Sequence, residues 1–536
     1  MKTFVVNKKQ IGLTGIVTLL MASCQQVQTV AKTEQGKSWL AGDHHVHTHY
    51  SVKWDTSVFP PAPVIGGDAK YSIPLNAQMA AHYGLSWMVI TDHGGPNRAK
   101  LALEQAYPEL VASRKALPQI LQFYGMEFDV PGNSPGGRHA SFIMPHRPTE
   151  AEQLYQIESR YNGRQGVPPG PEKAEDAFML QALKAMNELP DKPLLLVNHP
   201  ARLATGFRQY NKVTPEQLRD WQDTAPDVVI GMTGAEGHQA ATLNPDGSTD
   251  PNAIRGEYPD YPTMGGYDQM TARLGGVWDS LLSEGRNWWV TGVSDSHGHY
   301  TDGWADFWPG QYAKTYVYAD KNYDSIFAAL KAGQVFVTTG DLIDALFVEV
   351  AVKNSTKTAT AGQTLTVKPQ DELVLRVRFR DPDSNNGGGF NPEVQRVDVI
   401  QGLIKGPASQ RNSDEAPDTK VAKRFYPTDW SNKDGYSQFE LPLGKVSTSQ
   451  YLRLRGTNNK NELEPEPDAK GENPWFDLWF YSKVFHADRQ VIEYSPVDIN
   501  LLGIHPLAKN LHEVCVLGDL PAAVIGMQLY QCLWGE

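Results

Sequence analysis

Cysteine is nearly absent: the 536-residue chain has three, Cys24, Cys515 and Cys532. That scarcity excludes a disulfide-stapled scaffold and a Cys-rich structural zinc shell. Cys515 and Cys532 are left either to pair in an oxidising compartment or to stay as ordinary buried thiols. Basic residues are not in excess either. Lys and Arg number 49 against 61 Asp and Glu, for a formal net charge of -12. Nucleic acid is therefore excluded as the main partner, because backbone binding needs clustered cations. Long apolar runs are also missing. The run at 11–22 is too short for an ordinary transmembrane helix, and no later stretch is long and apolar enough. No internal repeat is present. What the chain does have is a hydrophobic fraction of 40% and an aromatic fraction of 10%, which suit a globular protein. Its length exceeds one ordinary core, so two domains are expected.

The N-terminus reads as a targeting segment. Lys2, Lys8 and Lys9 precede the apolar run, and Leu20-Met21-Ala22-Ser23-Cys24 follows it. Small residues before a Cys resemble a bacterial lipoprotein cleavage site, although Met21 stands where Leu is usual. Cys24 would carry the lipid, and each buried methylene would hold the protein to the membrane by about 0.8 kcal/mol. A secreted form cut nearby and an uncleaved anchor are the alternatives. Residues 1–24 are thus expected to be a signal segment and 25–38 a tether. The expected location is the cell envelope, on the periplasmic side of a bacterial membrane or secreted, with membrane contact through the lipid alone.

From residue 39 to about 340 the pattern alternates between strand and helix. Strand patterns lie at 85–90, 120–126, 194–197, 228–232 and 288–293, and helical patterns at 73–83, 174–189, 267–284 and 324–332. Such alternation points to a parallel sheet, closed or open. Near residue 342 the signals become short alternating strands, at 346–352, 372–378, 394–401, 437–443 and 451–456, separated by polar turns such as Asp381-Pro382-Asp383-Ser384-Asn385-Asn386-Gly387. That pattern predicts an antiparallel β-sandwich. The expected divisions are an α/β domain at 39–341, a sandwich at 342–486 and a tail at 487–536 without clear periodicity.

The chemistry starts at Asp43-His44-His45-Val46-His47-Thr48. On a strand, residues two apart face one side, so His45 and His47 project together as two ligands of one cation must. Imidazole suits zinc, iron or nickel better than magnesium. Similar groups recur at expected strand ends: Thr91-Asp92-His93, Gly125-Met126-Glu127 with His139 in a Gly-rich loop beyond, Asn198-His199-Pro200, and Asp295-Ser296-His297. In β/α barrels that rim gathers catalytic residues. Recurrence in order makes unrelated polar residues a poor explanation and a metal centre a good one.

These motifs, in this order, resemble the PHP (polymerase and histidinol phosphatase) superfamily over residues 39–340. The resemblance implies a distorted barrel of seven β/α units holding two or three divalent ions, variously zinc, manganese or iron. It implies that His45 and His47 bind a first ion with Asp295, and that Glu127 bridges to a second. His139 and His199 would complete the second, while His93 and His297 would hold a third. Asp92 fits as a ligand or as an orienting partner. Some relatives carry a further His six residues after the position of His47, where this chain has Lys53; others carry Ser-Asp-Gly where it reads Ser51-Val52-Lys53. His49, Asp55 or a water are the substitutes, or Lys53 contacts an anionic substrate. The segments 278–285, 313–318 and 332–340 are similar to the exported branch that includes carbaryl hydrolase-like enzymes.

The implied activity is metal-dependent ester hydrolysis by a bridging hydroxide, with a phosphoester substrate first and a carboxyl or carbamate ester as the alternative. His93 or His297 would protonate the leaving group. Arg138, Arg202 and Lys53 are candidates to clamp a phosphate, and His238, in Glu236-Gly237-His238, to line the pocket. Trp54, Phe59, Trp304 and Trp308 are candidates for an apolar wall. A non-catalytic binding protein with a vestigial metal site is the competing class, its sandwich contacting carbohydrate or protein.

Overall fold

The computed structural model describes residues 36–132, 138–461 and 463–489. Cys24, nearly all of the tether, Cys515, Cys532 and the tail beyond 489 lie outside the described residues. Among those residues no helix is long and apolar enough to cross a membrane.

The chain begins with β1 (Ser38–Val46), followed by a small hairpin of β2 (Lys53–Asp55) and β3 (Ala62–Val64). Next come β4 (Trp87–Ile90), β5 (Leu121–Asp129), β6 (His139–Ile143), β7 (Leu194–Asn198), β8 (Val229–Ala235) and β9 (Trp289–Gly292). β4 and β7 are apolar and buried at nearly every position, as strands covered on both faces must be.

β1, β4 and β5 run parallel, as do β7, β8 and β9. β6 is antiparallel to both β5 and β7. The expectation of a wholly parallel sheet is therefore corrected to a mixed one. The cause is chain length: residues 130–138 are too few for the crossover of roughly a dozen residues that a parallel return needs. His139, expected in a loop, instead opens β6. On the far side of β1, β10 (Ala313–Ala319) and β11 (Val335–Thr339) add antiparallel strands.

The ladder is not closed. It ends at β9. Among the described residues, the backbone link from the end of β9 back to β1 is an isolated bridge between Val46 and Ser296, where the His47 N–H donates to Ser296 O at 3.1 Å. The Thr315 hydroxyl of β10 adds bonds to the Gly292 N–H and carbonyl, at 2.9 and 2.8 Å.

Leu40, Trp87, Val89, Phe123, Ile143, Leu194, Ile230, Trp289 and Val317 meet in one buried cluster, covered by Ile326 and Leu330 of helix Tyr323–Ala332. Each aliphatic side chain buried there contributes about 1.5–3 kcal/mol, so this cluster outweighs local propensity in setting strand register. Gly42 is required within it, since a Cβ there would lie 1.9 Å from the Trp87 ring. Helices Ile73–His82, Tyr107–Ala116, Glu150–Tyr161, Asp176–Glu188 and Pro215–Thr224 supply apolar side chains to a second, larger cluster. The helix expected at 267–284 is split into Gln269–Ala272 and Val277–Ser283, with Gly275 at φ +69° between them.

The C-terminal strands are β12 (Ala345–Val352), β13 (Thr358–Thr360), β14 (Gln363–Val367), β15 (Glu372–Arg380), β16 (Arg396–Leu403), β17 (Lys420–Phe425), β18 (Ser431–Lys433), β19 (Tyr436–Lys445), β20 (Gln450–Thr457) and β21 (Trp479–Arg489). β17, β16, β20 and β21 extend the large sheet through β11, and β14 pairs with β21. The others form a five-stranded sheet ordered β13-β12-β15-β19-β18. Phe425 of β17 stacks on Phe439 of β19 at 3.9 Å, and Phe379 of β15 lies 6.4 Å from Phe480 of β21, so the two sheets touch.

A buried ion pair ties β20 to the helix Val277–Ser283. Arg453 donates to both Asp279 oxygens, at 2.6 and 2.7 Å, and both side chains are fully buried. Removing one partner strands a desolvated charge. Asp279→Ala is therefore expected to cost about 3–5 kcal/mol in urea-unfolding free energy; a loss below about 1 kcal/mol would show that Arg453 finds another partner.

Candidate metal centre

The C-terminal ends of β1, β4, β5, β7, β8 and β9 and the start of β6 carry the ligand-type residues. β1 supplies His45 and His47 follows it; His93 follows β4; Glu127 lies near the end of β5; His139 starts β6; His199 follows β7; His238 follows β8; Asp295 and His297 follow β9. Antiparallel pairing brings β6 into this edge in register, with Asp129 opposite His139 and His139 opposite Asn198.

Glu127 is the hub. Its Oε1 lies 3.2 Å from His45 Nε2, 3.2 Å from His139 Nδ1 and 3.3 Å from His199 Nε2. Its Oε2 lies 2.8 Å from His93 Nδ1 and 3.4 Å from His47 Nε2. Asp295 Oδ1 stands across from it, 3.1 Å from His45 Nε2 and 2.9 Å from His47 Nε2. His45, His47, Glu127 and Asp295 thus form one buried group with ligand atoms within 4.8 Å, and His93, Glu127 and His139 form another. His297 joins His47 and His93 in a third group, and its ring stacks on His47 at a centroid distance of 3.7 Å.

Neighbouring groups aim these side chains. His47 Nδ1 lies 3.0 Å from Ser51 Oγ, which leaves Nε2 for the cluster. His297 Nδ1 donates to the Asp295 carbonyl at 2.9 Å. The His45 N–H and the Ser294 N–H donate to the two oxygens of Asp43, and Asn198 Nδ2 donates to Glu127 Oε1 at 3.0 Å. His199, His238 and Asp295 have φ of +31°, +56° and +47°. Such strain in non-glycine residues persists where the surroundings hold it, often at functional sites.

The electrostatics favour positive charge. Burial raises Glu127, but the imidazoles of His139, His93 and His45 hold it well below the usual carboxylate range. Asp295 is likewise held low against burial by His45 and His238. Burial disfavours a charged His45, yet Asp295 and Glu127 lift it to about 10. Burial and the rings of His297 and His93 push His47 well down. A set this desolvated, with Glu127 Oε2, Asp295 Oδ1, His93 Nδ1 and His139 Nδ1 all buried without hydrogen-bond partners, fits divalent cations by donor type and spacing. It contains no thiolate, unlike closed structural zinc shells.

Not every expected residue joins. Asp92, offered as a ligand or as a partner orienting an imidazole, is instead bound by other groups: its oxygens accept from Thr48 N (2.6 Å), Thr48 Oγ1 (3.0 Å) and Arg98 (3.1 Å). Arg138 is buried and donates to Asp176 at 2.9 Å and to the Pro131 carbonyl. Lys53 is exposed on the β2–β3 hairpin, and among the described residues no ion pair joins it to the cluster. His49 is paired with Glu109 at 3.0 Å, and Asp55 accepts from Ser57. Arg202 does reach the site, 3.8 Å from Asp295 Oδ2 and 2.9 Å from Glu257.

His238 belongs to the cluster itself, with Nε2 3.4 Å from Asp295 Oδ2. Trp54 packs on Gly95, Trp304 packs on Gly298 beside His297, and Trp308 stacks on His299. Phe59 is 85% exposed.

Sequence reasoning missed Arg164, whose Nε lies 2.8 Å from Asp129 and whose terminal nitrogen lies 3.4 Å from His139 Nε2. It also missed Asp306, which binds His238 Nδ1 and accepts the His297 and Gly298 N–H groups at 2.6 and 3.0 Å. Neither stands next to a His motif, so spacing carried no signal.

Glu127→Ala is expected to weaken binding of zinc or manganese by at least about tenfold in calorimetric titration, since losing even an outer-shell partner costs about 10–100-fold. Equal affinity in the variant would remove Glu127 from the centre.

No protein-family model matches the chain, and no curated protein matches it either.

Proposed function

We propose that the chain is a metal-dependent hydrolase of the PHP type, exported from the cytoplasm, with phosphoesters as its favoured substrates. The supporting observation is the convergence of His45, His47, His93, His139, His199 and Asp295 around the buried carboxylate of Glu127. In this reading the strands that share one interior cluster are a barrel distorted by β6 and by the weak β9–β1 seam. The touching C-terminal sheets are its sandwich-like appendage.

Two or three ions of zinc, manganese or iron would be held by His45, His47, Glu127 and Asp295, by His93 and His139 with His199, and at His297. Bound there, they supply an acidified water and neutralise charge on the ester oxygen. The protein's own groups decide the rest. The side chains of His45 and His47 are sealed from solvent, whereas those of His93, His139, His238 and His297 are 10–16% exposed. Substrate therefore meets the cluster on that side. Arg164 and Arg202 flank the opening, and their planar guanidinium groups suit a phosphate. His93, the most exposed of these imidazoles, is placed to pass a proton to the departing oxygen.

One observation favours the alternative, an aryl carboxyl or carbamate ester. Trp304, 40% exposed, lies against Gly298 next to His297 and offers an apolar wall for a leaving group.

A panel of nitrophenyl phosphate, bis-nitrophenyl phosphate, nitrophenyl acetate and an aryl carbamate, run with zinc, manganese and iron, separates these readings. The His45→Ala, His47→Ala double variant should lose at least roughly a hundredfold in rate, because metal activation supplies several kcal/mol. Arg164→Ala should raise KM for phosphate esters alone. Unchanged turnover in the double variant removes the mechanism; a rate confined to acetate or carbamate moves the assignment to the alternative.

A further inference from the structure

We propose that His238 is a metal ligand which, with the outer oxygen of Asp295 and a ring nitrogen of His297, builds the cation position at His297, at the mouth of the centre. The proposal rests on the metal-hydrolase reading but assigns a residue outside the ligand set that reading brought with it.

The ligand atoms of His238, Asp295 and His297 lie within 4.8 Å of one another. Asp295 faces two ways. Oδ1 points at His45 and His47, while Oδ2 points at His238 Nε2, 3.4 Å away. A simple charge-assisted hydrogen bond between that pair would be shorter, about 2.7–2.9 Å. Two ligands each about 2.0–2.2 Å from one tetrahedral ion stand about 3.3–3.6 Å apart, which matches the observed gap.

The His238 ring is also prepared for the task. Asp306 holds its Nδ1, leaving Nε2 as the presented atom, the carboxylate–histidine–metal arrangement by which proteins fix tautomer and ring direction. The same carboxylate takes the backbone N–H groups of His297 and Gly298, so one residue sets both histidines. The backbone at His238 is held at φ +56°, which a purely packing role does not require. The two side chains that the sequence offered as substitutes for the ligand absent at Lys53 are engaged elsewhere, His49 with Glu109 and Asp55 with Ser57.

The test is stoichiometry. Metal-free full-length protein is titrated with Zn²⁺ by calorimetry and with Co²⁺ by visible absorption, and bound metal is counted by mass spectrometry. Wild type, His238→Ala, His238→Gln and Asp306→Asn are compared, with circular dichroism as the folding control. His238→Ala and His238→Gln should bind one equivalent fewer than wild type and keep those centred on Glu127. Asp306→Asn should bind that same equivalent about 10–100-fold more weakly. If His238→Ala is misfolded, His238→Gln and Asp306→Asn decide the matter. Wild-type stoichiometry and affinities in the folded His238 variants overturn the proposal and leave the hydrolase reading standing. Absence of metal binding by wild type overturns both.

Discussion

A carboxylate with no exposure to water must be compensated, and Glu127 is compensated almost entirely by imidazole. Five rings reach it from four different stretches of chain, His45 and His47 sharing one, and their inward-facing nitrogens crowd into the same small space. His45 Nε2 and His47 Nε2 lie 3.0 Å apart with carboxylates on both sides, a geometry in which protons alone are a poor solution and cations a natural one. The rim therefore constrains the fold below it. Strand order, the reversal of β6 and the bridge between Val46 and Ser296 all serve to bring those rings to one point.

The layers around the centre have distinct jobs. The apolar interior fixes strand register at a depth where only Gly42 permits the Trp87 ring to lie across β1. Above it, Ser51 and Asp306 hold the Nδ1 atoms of His47 and His238, Asn198 binds the Glu127 carboxylate, and Asp43 anchors the His45 backbone. Strained backbone at His199, His238 and Asp295 aims the last side chains inward. Glu236 adds a further buried carboxyl, which accepts the His199 N–H at 2.9 Å and is raised well above its ordinary range by burial and by Asp268 and Asp295.

Much of this was legible in the chain. Strands at 194–197 and 288–293 were expected within a residue or so of Leu194–Asn198 and Trp289–Gly292, because buried parallel strands are written as unbroken apolar runs. The helix expected at 174–189 was found at Asp176–Glu188. His motifs at strand ends were visible for the same reason: a polar residue just past an apolar run has to face the rim. β6 was hidden because His139-Ala-Ser-Phe-Ile follows a glycine-rich stretch and is short, and its reversal depends on connection length, not on pattern. Asp92 resembled a ligand from its place beside His93, but a strand end presents neighbouring side chains in opposite directions, and its carboxylate went to Thr48 and Arg98. Arg138, offered as a phosphate clamp, instead spends its guanidinium on Asp176 and the Pro131 carbonyl. Asp306 and Arg164 act across distances in sequence that no local spacing encodes.

The central claim is that cations sit on Glu127. Anomalous diffraction from crystals grown with zinc, collected above and below the zinc edge, measures this directly. Peaks about 2.0–2.2 Å from each Glu127 oxygen, with His45 and His47 completing one and His139 another, are the expected result. A map with no anomalous peak within about 3 Å of Glu127 at saturating zinc would contradict it.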